Sequence, residues 1–85
     1  MLFGDYYLQQ HEKYQSIYGR DTCVLMQCGH FFEVYAVDND HEKINAEGIR
    51  RLSDIMNIQL TRKNKKIEEN NRKNLLMIGI PLHAI

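Results

Sequence analysis

Two apolar, β-rich segments on either side of Gly29-His30 constrain the fold of this chain more than any other feature. Residues 22–28 are apolar and largely unpunctuated, which is typical of a strand buried on both faces. Residues 31–37 form a second β-rich run, and the glycine between the runs favours a tight hairpin or a bulged turn. The sequence therefore predicts two neighbouring strands joined at residues 29–30.

The second predicted strand has two unlike faces. The even-numbered positions of 32–36 are all apolar and predict a core face. The odd-numbered positions, Phe31, Glu33 and Tyr35, mix aromatic rings with a charge, which indicates a face or a strand end that looks outward. Phe31 and Glu33 point to the same side about 6.6 Å apart along the backbone, so the ring could stack on a base while the carboxylate tests its edge.

The spacing of apolar residues predicts one amphipathic helix before these strands and one after them. The first covers residues 6–18, with Asp5 as its N-cap and Gly19 at C′. The second is capped by Asn45 and ended by Asn57. The helical stripes are Tyr7, His11, Tyr14 and Tyr18 in the first helix and Ile49, Leu52, Ile55 and Met56 in the second.

The remaining segments alternate polar loops with short strands. Residues 38–44 are predicted to be a polar loop, and residues 58–61 alternate like a short strand. Residues 62–74 hold almost nothing that could be buried and are expected to form a solvated loop. Residues 75–80 form the last strand, which Pro81 stops. The order α-β-β-α-β-β favours an α/β fold with a mixed β-sheet and packed helices.

Size and charge limit what the chain can do. With 85 residues, 44% of them apolar and 26% charged, residues 1–85 are expected to form one small domain with a modest core. The formal net charge is zero, but residues 1–61 carry five basic against nine acidic groups and residues 62–85 carry six against two. Such an asymmetry can make one edge of a neutral domain attractive to phosphates.

The sequence gives little indication of a membrane segment or of a disulfide bond. No apolar run approaches the roughly 18 residues of a membrane helix, and no basic segment followed by an apolar stretch opens the chain. We therefore expect a soluble, intracellular protein without a membrane partner. Cys23 and Cys28 would face opposite sides of a strand, so reduced, packed thiols are expected rather than a local disulfide.

Three ordered segments resemble the N-terminal mismatch-recognition domain of MutS-type DNA mismatch repair proteins. Residues 24–35, Val-Leu-Met-Gln-Cys-Gly-His-Phe-Phe-Glu-Val-Tyr, resemble the family's buried strand followed by Gly, any residue, Phe, an aromatic residue and Glu. Residues 58–63 resemble its I-x-L-T strand followed by basic residues, and residues 77–84 resemble its M-x-G-[IV]-P-x-H-A segment. His30 departs from the acidic residue usual in that slot. The segment between the Phe-x-Glu strand and Ile58 is longer than in typical bacterial relatives, and in this respect the chain resembles the divergent subfamily of large DNA viruses and organelles.

The resemblance, which covers residues 6–85, implies binding of double-stranded DNA that contains mismatches or small loops. In the family, a Phe enters the duplex from the minor groove and stacks on a mispaired base while a Glu hydrogen-bonds to that base. By position these are Phe31 and Glu33. Unstacking a base step costs a few kcal/mol, and least where pairing is already defective, so discrimination arises from deformability.

Basic residues after the predicted 58–61 strand are candidates for phosphate contacts, which are salt-dependent and blind to sequence. A merely solubilising loop is the alternative. The candidate DNA-binding residues are therefore Phe31, Glu33, Arg62, Lys63, Lys65 and Lys66, with Arg72 and Lys73 in the same basic run.

The resemblance also implies a partial domain, truncated at its C-terminal end, from a larger MutS-like protein. The chain lacks a Gly-x-x-x-x-Gly-Lys-Ser/Thr phosphate loop, so neither catalytic residues nor a cofactor is expected in it. ATP and magnesium would belong to the missing ATPase domain, and dimerisation to segments not present. The alternative is a vestigial or standalone α/β protein-interaction module without DNA-binding activity.

Two other clusters of side chains could indicate a metal-dependent function instead. Asp38, Asp40 and Glu42 could indicate a magnesium-dependent nuclease, but no basic catalytic partner lies nearby in the sequence. The two cysteines with His30 lack a fourth zinc ligand and straddle a strand. His83 belongs to a family segment in which it is structural. No metal site and no catalytic residue are expected from these groups.

Overall fold

The chain folds into helices and short strands that alternate along the sequence. A computed structural model describes residues 3–20 and 22–84. In chain order, its elements are α1 (Phe3–Tyr18), β1 (Met26–Cys28), β2 (Phe31–Asp38), β3 (Lys43–Ile44), α2 (Ala46–Met56), β4 (Thr61–Arg62) and β5 (Leu76–Pro81), followed by a 3-10 turn at Leu82–Ala84.

The strands form one antiparallel sheet with β2 at its centre. β1 and β5 flank β2, β4 lies outside β5, and β3 pairs with the end of β2. The α/β class and the packed helices are confirmed, but the predicted mixed sheet is wrong. β4 runs in the same direction as β2, yet β5 is inserted between them, and this leaves only antiparallel neighbours among the described strands.

The core lies between the sheet and the two helices. The even positions of β2 supply Val34 and Ala36, both fully buried, and confirm the predicted core face. Ile78 and Ile80 of β5 continue this apolar surface. The other fully buried apolar side chains are Tyr7 and Leu8 of α1, Tyr35 and Val37 of β2, Ile49 of α2, and Leu75.

The first helix begins earlier than predicted. α1 starts at Phe3, so Asp5 lies within the first turn and its assignment as N-cap is wrong. The carboxylate still lies near the positive end of the helix dipole. At the other end the prediction is confirmed, since Gly19 adopts a φ of 102° and its N–H donates to the Gln15 carbonyl at 2.8 Å.

The second helix has the predicted bounds, but its N-cap and its apolar stripe differ from the prediction. Asn45 and Asn57 flank α2, both in the left-handed conformation. The Asn45 side chain makes no capping hydrogen bond, and its amide donates to the Tyr35 carbonyl at 3.1 Å. Ile55 was expected in the core but is 72% exposed. At 3.6 residues per turn it lies about 120° around the helix from Ile49.

The first strand is an edge strand, which corrects two expectations. Only Met26–Cys28 pairs with β2, so the predicted strand over 22–28 is too long and is not buried on both faces. Leu25 is exposed. Both cysteines are free, as predicted, but Cys23 is exposed and only Cys28 is partly packed.

The predicted polar loop over 38–44 is a short hairpin instead. β2 continues to Asp38, and β3 returns beside it after a tight turn. The side-chain oxygen of Asn39 accepts hydrogen bonds from the N–H groups of His41 and Glu42, both at 2.8 Å. Local side-chain bonding of this kind makes asparagine a turn former, a signal that the polar composition obscured.

The C-terminal strands differ in detail from the prediction. Of residues 58–61, only Thr61 joins the ladder, and β4 then continues to Arg62. β5 covers Leu76–Pro81, one residue later than predicted at each end, and the ladder ends at Pro81, opposite Phe31, as expected. Residues 63–73 form a largely exposed loop, as predicted, but Arg62 belongs to β4 and Asn74 is only 4% exposed, with a side chain that orders the segment. Within the described residues, neither helix combines the length and the apolarity needed to cross a membrane.

Candidate functional site

The odd residues of β2 place the candidate side chains on one side of the sheet, called here the Phe31–Tyr35 face (Phe31, Glu33 and Tyr35). Directly opposed residues in an antiparallel ladder share a face. Cys28 of β1 is opposite Phe31, and Gly79 of β5 is opposite Glu33. The predicted spacing of Phe31 and Glu33 on one face is therefore the spacing that the sheet enforces.

Phe31 is the exposed end of this face. It is the first residue of β2, directly after the turn in which Gly29 adopts a φ of 63°, and it is 48% exposed. A Cβ atom on Gly79 would lie 4.0 Å from the Phe31 ring, so the ring lies beside a position that has no side chain. The Leu82 N–H donates to the His30 carbonyl at 3.0 Å and holds the turn. The backbone that carries the exposed Phe31 ring is thus held in a fixed position.

Glu33 is held by the residue two positions further along. The Tyr35 hydroxyl donates a hydrogen bond to Glu33 Oε2. Burial raises the pKa of Tyr35 well above its ordinary value, and the hydrogen bond to the Glu33 carboxylate raises it further. The hydroxyl therefore stays protonated at neutral pH and remains a donor, whereas an ionised Glu33 can only accept.

Cys28 adjoins the same carboxylate. Its pKa is raised above that of a free thiol first by burial and then by the Glu33 charge, with Lys63 opposing the shift. A thiol with a raised pKa is a poor nucleophile and a poor metal ligand near neutral pH. Cys28 consequently acts as packing beside Glu33.

The Tyr35 ring joins the sheet to a helix and to the basic segment. Tyr7 of α1 meets it edge to face, with ring centroids 5.3 Å apart and planes at 78°. Lys63 Nζ lies 5.4 Å from the Tyr35 ring centroid, within cation–π range. The Tyr7 hydroxyl donates to the Val24 carbonyl at 2.7 Å and fixes this end of α1. Tyr35, which is 2% exposed, is thus deeply buried, although its odd-numbered position in β2 indicated a face that looks outward.

The predicted basic residues divide into two groups. Arg62 donates to the carbonyls of Ile67 at 2.7 Å and Lys65 at 3.0 Å, so its guanidinium stabilises the turn at the protein surface. Lys65 and Lys66 are exposed on that turn. The structure thus brings Lys63 to the Phe31–Tyr35 face and assigns Arg62 a structural role, while Lys65 and Lys66 remain accessible to a partner.

The carboxylates of Asp38 and Glu42 in the β2–β3 hairpin are paired with nearby cationic side chains. Asp38 is paired with Lys43 Nζ at 2.6 Å and with Arg50 Nη2 at 2.8 Å, and hydrogen bonds from Lys43 and then Arg50 lower its pKa. Glu42 is paired with Arg72 at 3.2 Å. Across residues 3–20 and 22–84, no group of three His, Cys, Asp or Glu side chains is arranged to hold a metal ion.

Two contacts of the site were not predicted from the sequence. The bond between Tyr35 and Glu33 had a local signal, because both residues share the parity of Phe31. The approach of Lys63 to Tyr35 had none, since it depends on β5 lying between β4 and β2. Strand order is a long-range property that a local pattern does not encode.

Fold and site together define a small α/β domain that presents an exposed aromatic ring beside a hydrogen-bonded carboxylate. No protein-family model, curated protein or solved structure matches the chain.

Proposed function

We propose that the Phe31–Tyr35 face binds mismatched double-stranded DNA, as the lesion-reading module of a MutS-type repair protein. The observation that carries this proposal is the pairing of an exposed Phe31 with a hydrogen-bonded Glu33 on one face of a strand. Along Phe31–Glu33, β2 is paired with β1 on one side and with β5 on the other. The ring and the carboxylate are therefore held in place before a ligand arrives.

Phe31 supplies the stacking energy. A ring that enters a base step must overcome a few kcal/mol of unstacking, and a mispaired step resists it least. Stacking of a base on an aromatic side chain returns about 1–3 kcal/mol. The balance is close to zero at a sound step and favourable at a defective one, so the same ring distinguishes the two.

Glu33 supplies the second criterion. A carboxylate near phosphates opposes binding unless a displaced base offers it a hydrogen-bond donor. Because Tyr35 occupies Oε2, the carboxylate meets the ligand in one orientation. A ring alone would stack at many base steps. The Phe31 ring and the Glu33 carboxylate together favour binding only at a step from which a base has been displaced.

Lysines near this face supply affinity that is independent of sequence. Tyr35, against which Lys63 packs, is four residues along β2 from Phe31, which corresponds to about 13 Å of backbone at a strand rise of about 3.3 Å per residue. The minor groove is only about 6 Å wide, so a ring inserted in it leaves room for Lys63 to approach the flanking phosphates. Lys65 and Lys66 extend the cationic surface further along the turn.

Binding of mismatched and matched duplexes to the full chain, followed by fluorescence anisotropy at low salt, tests the proposal. We expect tighter binding of the mismatched duplex and a loss of about 5- to 150-fold in that affinity for Phe31→Ala, the equivalent of the stacking energy. Tyr18→Ala is the control, because Tyr18 is also an exposed aromatic residue, 74% exposed at the far end of α1.

Equal affinity for both duplexes, or an unchanged affinity for Phe31→Ala, would overturn the proposal. Binding of neither duplex would favour the alternative, a protein-interaction module. The apolar side chains that such a module would present are Ile17 and Tyr18 on α1 and Ile55 on α2, all exposed.

A further inference from the structure

The connection between β4 and β5 is ordered by one buried asparagine. The Asn74 side-chain amide donates to the carbonyls of Asn64 at 3.3 Å, Ile67 at 3.1 Å and Glu69 at 2.8 Å. Its side-chain oxygen accepts the Asn64 N–H at 2.8 Å. One side chain thus gathers three separate points of the 63–75 connection, called here the basic arm.

The ends of the basic arm are fixed independently. At its start, the Lys63 N–H donates to the Leu75 carbonyl at 2.8 Å, and Arg62 binds the carbonyls of Lys65 and Ile67. At its end, the backbones of Asn71 and Asn74 exchange hydrogen bonds of 2.9 and 3.2 Å. A polar segment without an apolar core can hold one shape when its backbone groups are satisfied in this way.

A second asparagine ties the basic arm to the β2–β3 hairpin. Asn70 Oδ1 accepts the Asp38 N–H, and the Asn39 side-chain amide donates to the Asn70 carbonyl at 2.7 Å. The Asn70 side-chain amide in turn donates to the Asn74 carbonyl at 2.8 Å. The arm is therefore anchored to the strand that carries the Phe31–Tyr35 face.

The anchored arm carries exposed cations. Lys65, Lys66 and Lys73 are exposed, Lys63 lies over the Tyr35 ring, and Asn74 is buried. A flexible segment that contacts phosphates must lose conformational freedom at the moment of binding, whereas an ordered segment has lost it already during folding. The order of the arm in the free protein consequently favours binding.

We propose that Asn74 is a positioning residue for DNA binding, which holds the basic arm as a preformed surface for the phosphodiester backbone of a duplex. Asn74 itself does not touch the ligand, because its amide is engaged with the arm's own carbonyls. This inference rests on the proposed function for its ligand, while the ordering of the arm stands apart from it.

Asn74→Ala and Asn74→Asp in the full chain test the inference with two separate readouts. Amide hydrogen exchange without DNA measures order in residues 64–73, and we expect at least about tenfold faster exchange there than in the wild type, because the anchoring bonds are lost. Titration with a mismatched duplex measures function, and we expect at least about threefold weaker binding with the mismatched-to-matched ratio unchanged, since phosphate contacts are blind to sequence. Gln59→Glu is the control for the added charge of Asn74→Asp, at an exposed position before β4.

The two readouts test the ordering role and the positioning role of Asn74 separately. Fast exchange in the arm with wild-type affinity would overturn the positioning role, and unchanged exchange would overturn the ordering role. Equal binding of both duplexes by the wild type would refute the proposed function while leaving the exchange result valid. If both Asn74 variants unfold, Asn70→Ala takes their place: it removes the tie to Asp38 but keeps the three amide bonds of Asn74, and it should loosen the arm and weaken binding in parallel.

Discussion

The Tyr35 hydroxyl donates a hydrogen bond to the Glu33 carboxylate, so these two residues of β2 form one unit. Tyr35 is in turn held by the edge of the Tyr7 ring and by the Lys63 ammonium group. The carboxylate is thereby fixed by residues from a helix, a central strand and the basic arm. The orientation of Glu33 is a property of the whole fold.

Tyr35→Phe tests this unit, because it removes only the hydroxyl and keeps the ring between Tyr7 and Lys63. We expect the affinity gap between mismatched and matched duplexes to narrow several-fold and the free energy of unfolding to fall by about 1 kcal/mol, the typical net contribution of one hydrogen bond. Duplex titration and urea denaturation measure the two effects. Tyr14→Phe, on the exposed side of α1, is the control, and an unchanged gap in Tyr35→Phe would show that Glu33 needs no support.

Glu33→Ala should also narrow the difference in affinity between mismatched and matched duplexes. Removal of the carboxylate relieves repulsion by phosphates, so the matched duplex binds more tightly, while the mismatched duplex loses a hydrogen bond. We expect a combined change of about tenfold, which corresponds to about 1.4 kcal/mol. Glu33→Gln, which keeps an acceptor for the Tyr35 hydroxyl, separates charge from geometry. A gap that stays at its wild-type value in both variants would remove Glu33 from the recognition step.

The salt dependence of binding should report the lysines of the basic arm. Each phosphate contact contributes about 0.9 to the slope of log affinity against log salt, so Lys65→Gln combined with Lys66→Gln is expected to reduce the slope by about 1.8. Titrations at several salt concentrations give this slope. Lys13→Gln on α1 is the control, since Lys13 lies over the Tyr14 ring at 5.3 Å. Equal slopes for the double variant and the wild type would contradict a phosphate contact.

Acid should destabilise the fold through Asp38. Its pKa is lowered in the folded state by Lys43 and Arg50, so its contribution to stability is fully present above the ordinary carboxyl pKa of about 3.9 and is lost as the pH falls through the lower folded value. Asp38→Asn removes this component. Denaturation at neutral and at acidic pH should therefore show a smaller pH dependence for Asp38→Asn than for Asp40→Asn, whose side chain is exposed.

A second pH effect should arise from His11. Its side chain is buried, and Nδ1 has no hydrogen-bond partner in the described part of the chain. Burial lowers the pKa of His11, with the nearby Glu12 opposing the shift. The folded state thus binds this proton less readily than the unfolded state, and stability should fall as the pH drops below about 6.5. Unfolding free energies of His11→Leu should lack this decline, and a retained decline would assign it to another group.

Local periodicity was sufficient for the parts of the fold that depend on local geometry. β2 and α2 follow from periods of 2 and 3.6, and Gly19 and Gly29 follow from the need for a positive φ. Phe31 and Glu33 share a face for the same reason, since the pleat of a strand fixes that relationship. Phe31 was therefore placed correctly before any tertiary contact was known.

Long-range pairing accounts for what the sequence did not reveal. Leu25 is apolar yet exposed, because it lies before β1 at the edge of the sheet and pairs with no described strand. The order of the basic arm was missed because it depends on asparagine side chains, whose composition is the same in a loose loop and in a tightly bonded one. The hydrogen bonds of Arg62 to carbonyls within its own turn were not predicted for a similar reason, since a guanidinium can bind either carbonyls or phosphates.

The pairing of β2 with β5 also has a kinetic consequence. Its partners, from Phe31 with Pro81 to Ala36 with Leu76, are separated by 50 to 40 positions in the chain. Contacts with such large sequence separation form slowly, because the intervening chain must be closed into a loop first. The meeting of Lys63 with Tyr35 requires this pairing, so the complete Phe31–Tyr35 face is expected to form only after these distant contacts have formed. A nascent or partly folded chain would carry Phe31 before Tyr35 and Lys63 have reached their final positions.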